Sequence, residues 1–265
     1  MAVDLAAYFR RIGFTGEAKP DLPTLRALHA LHPVAIPFEN LDPLLGRPVR
    51  LDLESLQSKL VGQRRGGYCF EQNALLRAVL EAIGFAVTPL AGRVQWMRGP
   101  GDPETPRTHM LLLVDLPEGK FIADVGFGGY LLAAPLALER DIEQGALRLT
   151  GAGDDWLLQA SLGEGRRNAY RFTLERQEQV DYELGNWFTA THPASPFPAN
   201  LMAQRLTREG HVNLLNRRLT HRPRGVPPTE RQLRDAGELE EVLATVFGIE
   251  PPAPSVDIWA RLQAG

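Results

Sequence analysis

The sequence predicts an α+β fold, in which a helical bundle is followed by an antiparallel β-barrel or sandwich. In the first third of the chain, apolar residues recur 3 or 4 positions apart between residues that cap helices, which is typical of amphipathic helices. From about Phe85 onward, short runs of β-type residues alternate with Gly and Pro, which is typical of strands and turns. At 265 residues, the chain has room for roughly two domains.

Four helices are predicted in the first third, each with apolar residues on one face. These residues are Leu5, Tyr8, Phe9 and Ile12; Leu25, Leu28 and Leu31; Leu53, Leu56 and Leu60; and Leu76, Leu80 and Ile83. Asp4 and Asp52 can cap the first and third helices, and we expect the second to end before Pro33. The fourth is expected to begin at Cys69 and to end at Gly84, because glycine commonly follows a helix.

The later part of the chain predicts short strands and two further helices. The predicted strands cover residues 87–94, 109–114, 121–125, 156–162, 170–174, 201–206 and 211–215. A connecting helix is expected over 181–190, and a late helix is expected from Thr229 onward. The segment around Ile258 and Trp259 is predicted to be a closing element.

Charge and composition exclude several classes of protein. Lys and Arg number 29 and Asp and Glu 32, a formal net charge of −3, which argues against nucleic-acid and polybasic membrane partners. The longest uncharged stretch, residues 125–138, is too short and too rich in Gly and Pro to span a bilayer. The start of the sequence lacks a secretory signal, so we expect a cytoplasmic protein. A single cysteine excludes an internal disulfide and a multi-cysteine zinc site, and we expect no bound metal.

Cys69 is a candidate for a reactive residue. The segment 64–73 places two glycines directly before this thiol, at a predicted helix start. Unpaired backbone N–H groups and the positive end of the helix dipole favour the thiolate there. A free cysteine is also commonly a small buried core residue, so its position alone leaves both interpretations open.

His109 and Asp124 flank a predicted hairpin that brings them to one face. If the loop is the two residues 117–118, Asp124 lies opposite Leu111 and is the diagonal neighbour of His109, about 7–8 Å away. A loop longer or shorter by one residue would place the two side chains on opposite faces. With the predicted loop, a chain from Cys69 to His109 to Asp124 is chemically sensible, because the imidazole can accept the thiol proton while the carboxylate orients it.

Six runs of sequence closely resemble the motifs of the arylamine N-acetyltransferases, in that family's order. They are residues 36–41, 65–73, 93–94, 108–110, 123–129 and 195–197. The agreement spans roughly residues 5–206 and is dense around the cysteine. The final third resembles the family only in its pattern of elements.

The resemblance implies an architecture with a core like that of cysteine proteases and transglutaminases. Its parts are a helical bundle at 1–85, a β-barrel at 86–180, a connecting helix region at 181–206 and a C-terminal α/β lid at 207–265. It implies a catalytic triad of Cys69, His109 and Asp124. Family members transfer an acetyl group from acetyl-CoA to the cysteine, and then to an aromatic amine, a hydrazine or an N-hydroxyarylamine.

The resemblance also implies two sets of binding residues. Three apolar residues match the acceptor pocket: Phe38, Val94 and Phe197. Four residues match the cofactor side of the cleft: Thr108, Gly126, Gly128 and Gly129. The apolar residues are equally compatible with an ordinary core, and the glycines with a tight turn or bulge.

Other charged residues give weaker signals. Glu39 and Arg65 belong to two of the matching motifs, and we expect them to pair and brace the cysteine loop. His29 and His32 lie three positions apart without a neighbouring ligand set, so we interpret them as a polar helix face rather than a metal site. The basic cluster of Arg217, Arg218, Arg222 and Arg224 is interpreted as a solvated loop that could also meet the cofactor's phosphates.

Three alternatives stay open at the level of sequence. A cysteine hydrolase or a transglutaminase-like enzyme uses the same order of Cys, His and Asp. An amide synthase of the same family would use a larger acyl donor. A binding protein could keep the scaffold without the activity, and the sequence is compatible with a monomer or a homodimer.

Overall fold

A computed structural model describes residues 2–99, 101–161 and 165–262, and these residues contain eight helices. The helices are α1 (Leu5–Ile12), α2 (Leu22–Ala35), α3 (Leu41–Leu44), α4 (Leu53–Leu56), α5 (Cys69–Ile83), α6 (Gln179–Thr191), α7 (Ala236–Val242) and α8 (Ser255–Arg261). Two of them, α4 and α7, continue into wider π-helical turns at Gln57–Gly62 and Leu243–Phe247. None of the described helices has the length and apolar character needed to cross a membrane.

The larger of two antiparallel sheets has eight strands. They are β2 (Ala86–Val94), β3 (Arg107–Leu116), β4 (Gly119–Ala123), β5 (Leu136–Ala137), β6 (Ile142–Gln144), β7 (Leu147–Ala152), β8 (Asp155–Ser161) and β9 (Arg166–Phe172). Their order is β5-β4-β3-β2-β9-β8-β7-β6. The Gln144 side chain, on one edge strand, donates to the carbonyl of Pro135 beside the other edge, at 3.2 Å. The sheet is therefore a near-closed barrel, and the predicted α+β class is confirmed.

The smaller sheet combines one strand from the helical region with four strands from the C-terminal part. Its strands, in spatial order, are β1 (Phe38–Glu39), β10 (Met202–Leu206), β11 (Gly210–Leu215), β12 (Arg218–Pro223) and β13 (Thr229–Gln232). Within it, Phe38 pairs with Gln204 and Glu39 with Ala203, so a segment from the helical region belongs to the C-terminal sheet. Whether the four predicted segments are separate domains stays a prediction.

The second helix does not end where its sequence predicts. The predicted end before Pro33 is wrong, because α2 continues to Ala35 and the N–H of Ile36 still donates to the carbonyl of His32 at 2.8 Å. Proline removes one intrahelical hydrogen bond. Leu25, Leu28 and His32 of this helix are all fully buried, and that packing outweighs the lost bond.

Two expectations for the C-terminal part are corrected. Residues from Thr229 form β13 rather than the start of a helix, and α7 begins only after Asp235, whose carboxylate accepts from the N–H of Glu238 at 2.9 Å. The basic cluster was expected to lie in a solvated loop, but Arg218 and Arg222 lie on β12, a strand that the sequence pattern did not predict. The predicted strand 156–162 overlaps β8, and its last residue lies outside the described residues.

The two faces of β3 separate two apolar cores. Met110, Leu112 and Val114 pack with the helical bundle, whereas Leu111 and Leu113 point into the barrel. This alternation follows from the two-residue period of a strand. His109 shares the barrel-facing parity, so its ring lies between the barrel interior and the helix that begins at Cys69.

Candidate active site

Cys69 is the first residue of α5, as its sequence predicts. The N–H of Tyr68 donates to the Glu71 carboxylate at 3.1 Å, which fixes the start of the helix. Cys69 is 4% exposed, and its thiol donates to the carbonyl of Thr108 at 3.5 Å. A Cβ on Gly66 would lie 2.2 Å from the carbonyl oxygen of Pro37, so only glycine lets the cysteine loop lie this close to the neighbouring segment.

His109 and Asp124 meet through the predicted hairpin. Leu116 pairs with Gly119 and Leu112 with Ala123, so the predicted register is confirmed. One residue beyond the end of β4, Asp124 places its Oδ2 atom 2.7 Å from Nε2 of His109. Both side chains are buried, and Nδ1 is the imidazole nitrogen left to face Cys69.

The helix that carries the cysteine also holds the carboxylate. Oδ1 of Asp124 accepts from Nδ2 of Asn73 and from the N–H of Gly126, each at 2.9 Å. Oδ1 of Asn73 accepts from the N–H of Val125 at 3.0 Å. No role for Asn73 follows from the sequence motifs described above. Its position four residues after Cys69, on the same helix face, was the available signal.

Electrostatics favour a charged pair of His109 and Asp124. Burial works against the imidazolium, but the charge of Asp124 and hydrogen bonds to Asp124 and Cys69 outweigh it and raise the pKa of His109 to about 10. Burial alone would raise the pKa of Asp124, yet His109, Asn73 and Gly126 hold it below its usual value. Asp124 therefore stabilises the imidazolium form of His109 beside the thiol, which makes the imidazole a strong base for the thiol proton.

Two aromatic rings hold the imidazole in place. The centroid of Tyr170 lies 4.6 Å from that of His109, and the centroid of Phe127 lies 5.2 Å from it. These contacts restrict the ring orientation and keep water from its faces.

The structure brings two of the three predicted acceptor residues together. The ring centroids of Phe38 and Phe197 lie 6.2 Å apart. The Phe197 centroid also lies 5.4 Å from that of Tyr68, the residue that precedes Cys69. Val94 lies at the end of β2, opposite Tyr170, and packs against the apolar core of the barrel.

The glycines on the predicted cofactor side have close neighbours. A Cβ on Gly126 would lie 2.7 Å from Cα of Cys69, and one on Gly128 would lie 2.3 Å from the Phe38 ring. A Cβ on Gly129 would lie 2.8 Å from the Trp96 ring. This close packing explains why glycine occupies these three positions. Their contact with a cofactor stays a prediction.

Replacing Gly126 with alanine is expected to slow any reaction catalysed at Cys69 on the order of 100-fold, because the new methyl group would displace the loop from the backbone of Cys69. Gly99→Ala is the matched control, since nothing lies within 4 Å of a Cβ there. Steady-state rates and melting temperatures of both variants check this. A Gly126→Ala enzyme with the parent rate would show that the loop can move without consequence.

Comparison with known proteins decides the family. A protein-family model described as N-acetyltransferase matches residues 21–256. Over 247 residues the chain is 46% identical to the arylamine N-acetyltransferase of Escherichia coli strain K12, covering 91% of this chain and 87% of that one. The chain belongs to the arylamine N-acetyltransferase family. It is therefore an acyltransferase.

Other arylamine N-acetyltransferases support this membership. The Mycolicibacterium smegmatis relative is 42% identical over 257 residues, covering 94% of this chain and 93% of that one. The solved structure from Salmonella typhimurium has a TM-score of 0.92 at 38% identity and covers 100% of both chains. The Mycobacterium marinum enzyme, solved in complex with CoA, has a TM-score of 0.90 at 41% identity and covers 98% of this chain and 97% of that one.

In this family member, a buried ionic network supports the cysteine loop. Arg65 places its Nη2 atom 2.6 Å from Oε1 of Glu39 and 3.2 Å from Oδ2 of Asp42, so the predicted pairing is confirmed. Lys59 lies 2.6 Å from both Asp42 and Glu71. The network thus connects β1, α3 and the π-helical turn to the first turn of α5. The other three members, Asp42, Lys59 and Glu71, were not predicted from the sequence.

The two histidines of α2 correct an expectation. His29 and His32 were interpreted as a polar helix face, but both are completely buried. His32 contacts the hydroxyl of Tyr8 at 2.8 Å and the amide oxygen of Gln72 at 2.6 Å. Both histidines share the 3- and 4-residue spacing of Leu25 and Leu28, which was the signal for burial. The described residues contain no cluster of metal-ligating side chains.

Proposed function

We propose that this chain moves an acetyl group from acetyl-CoA, through a thioester on Cys69, to the nitrogen of an arylamine, an arylhydrazine or an N-hydroxyarylamine. The observation that carries this proposal is the placement of Cys69 beside His109, whose far nitrogen is held by Asp124 at 2.7 Å. Membership in the family and the CoA-bound relative from M. marinum support the choice of donor.

In the first half-reaction, Cys69 acts as the nucleophile. His109 takes the thiol proton at Nδ1, and Sγ attacks the acetyl carbonyl of acetyl-CoA. The bond from the carbonyl carbon to the sulfur of CoA then breaks, and the imidazolium returns its proton to that sulfur. One thioester replaces another, so the bond type is conserved and no strong driving force is needed.

In the second half-reaction, the acceptor nitrogen attacks the acyl group on Cys69. An arylamine is neutral at pH 7 and needs no prior deprotonation. His109 removes a proton from the nitrogen as the tetrahedral intermediate collapses, and Sγ of Cys69 leaves. Asp124 keeps the imidazole in one orientation and stabilises its charge through both steps.

The proposed binding residues surround this centre. Phe38 and Phe197, with Val94 of the barrel, would provide flat apolar contacts for an aromatic acceptor. On the cofactor side, the proposed contacts are those of Thr108, Gly126, Gly128 and Gly129. The carbonyl of Thr108 already lies at the thiol.

The intact mass of the protein after brief mixing with acetyl-CoA tests this proposal. We expect the parent to gain one acetyl group and Cys69→Ala to gain none, and an added arylamine should discharge the acetyl group. A parent that loads only a larger acyl group would indicate an amide synthase. An acyl-enzyme that water discharges faster than the amine would indicate a hydrolase.

A further inference from the structure

A buried histidine outside the candidate triad holds the backbone of Asp124. His29 of α2 accepts at Nε2 from the N–H of Asp124 at 3.1 Å, although 95 positions separate the two residues in the sequence. His29 is completely buried, and its Nε2 faces the backbone of Asp124. The mechanism above assigns it no role.

This contact fixes the protonation of His29. Because Nε2 accepts, the ring proton lies on Nδ1, and the imidazole is neutral. Burial lowers the pKa of His29 to about 4, against the attraction of Asp124. Nδ1 has no hydrogen-bond partner among the described residues. An unpaired buried polar atom is unfavourable. A histidine is therefore unexpected at this position, where an apolar side chain could pack without that cost.

The contact with His29 lies where the backbone is no longer held by strand pairing. The paired part of β4 ends where Ala123 faces Leu112, so the N–H of Asp124 is the first backbone donor beyond the β3–β4 ladder. Asn73 of α5 holds the carboxylate of Asp124 at 2.9 Å. Two helices thus fix one residue, α5 through its side chain and α2 through its backbone.

The helix that carries His29 is itself anchored to the cysteine loop. One turn after His29, His32 links the Tyr8 hydroxyl to the Gln72 side chain. Nε2 of Gln72 donates to the carbonyl of Gly67 at 3.1 Å, two residues before Cys69. Through α2, the backbone that carries Asp124 therefore has a fixed position relative to the cysteine loop.

We propose that His29 is a positioning residue for acetyl transfer, acting as a neutral hydrogen-bond acceptor that holds the backbone of Asp124 and so the contact of Asp124 with His109. This inference rests on the proposed function, because the contact matters only if the pair serves Cys69. The proposed role of His29 depends on its acceptor atom, Nε2, and not on the volume of its ring.

Three substitutions at His29 separate the acceptor from the packing. His29→Gln keeps an acceptor near the position of Nε2, whereas His29→Leu removes it. His29→Asn is polar but too short to reach, so the comparison does not depend on whether the leucine variant folds. Leu25→Val, at a fully buried position on the same helix, is the control for loss of packing.

Two readouts are taken, the single-turnover rate of Cys69 acetylation and the pH profile of Cys69 alkylation by iodoacetamide. We expect His29→Leu and His29→Asn to lower the maximal acetylation rate on the order of 10- to 100-fold, with the acetyl-CoA concentration that gives half of that rate unchanged. Their alkylation midpoint should move to higher pH, because a displaced Asp124 stabilises the imidazolium less. His29→Gln should stay within about threefold of the parent, and Leu25→Val should change only the melting temperature.

Either of two results would overturn the inference. If all three variants keep the parent rate and profile and differ only in melting temperature, His29 is a packing residue. If His29→Gln is impaired as strongly as His29→Leu, the acceptor is not what matters. A parent that acetyl-CoA does not acetylate would instead refute the proposed function, and the alkylation profiles would still report on His29.

Discussion

Replacing Asp124 with asparagine is expected to lower kcat/KM for acetyl transfer by about 10⁴-fold. Asn73 and the N–H of Gly126 both donate to Oδ1 of Asp124, so the asparagine oxygen must stay at that position. Its NH₂ group then faces Nε2 of His109, which has to accept. The ring proton moves to Nδ1, and the imidazole can no longer take the proton of Cys69.

The control for this prediction is Asp115→Asn on the same hairpin. Asp115 is exposed and forms a surface ion pair with Lys120 at 3.2 Å, so its loss should leave the rate unchanged. The measurement is steady-state kinetics with acetyl-CoA and an arylamine, together with the rate of Cys69 alkylation. An Asp124→Asn enzyme within tenfold of the parent would show that His109 does not depend on this carboxylate.

The geometry of the hairpin was predictable because strand pairing has a strict parity. Once the loop is two residues long, every pair on the two strands is determined, and His109 and Asp124 must share a face. The start of α5 was equally predictable, because glycines precede Cys69 and the apolar spacing begins there. Local rules are sufficient in both cases.

The partners of Asp124 were not predictable, because they are distant along the chain. The burial of His29 could have been inferred from its spacing to Leu25 and Leu28. Its contact with Asp124 depends on how α2 packs against the end of β4, and a single sequence carries no information about that packing. The same holds for Asn73, whose helix face was evident although the residue it contacts was not.

In the C-terminal sheet, by contrast, the local sequence signals for a strand are weak. Residues 229–232 are all polar and exposed, so they have no apolar alternation that would indicate a strand. They form β13 because β12 offers an unpaired edge, at which Leu219 faces Arg231. Backbone hydrogen bonding decides the structure there, and side-chain patterns do not report it.

Removing the guanidinium of Arg65 is expected to reduce the free energy of unfolding by about 3–5 kcal/mol. In Arg65→Met, the completely buried carboxylate of Glu39 loses its cation, and Asp42 retains only Lys59. The network then has one cation for three carboxylates. Burial already raises the pKa of Glu71 despite its contact with Lys59, so the site has little capacity for further negative charge.

Lys120→Met provides the comparison, because its ion pair with Asp115 is exposed on both sides and such pairs contribute about 0–1 kcal/mol. Denaturant unfolding of the two variants beside the parent measures the difference. Arg65 braces the loop that leads to Cys69, so the Arg65→Met enzyme should also alkylate more slowly while still folded. If Arg65→Met costs no more than Lys120→Met, the carboxylates must find other partners or take up protons. The network would then not be what holds the cysteine loop in place.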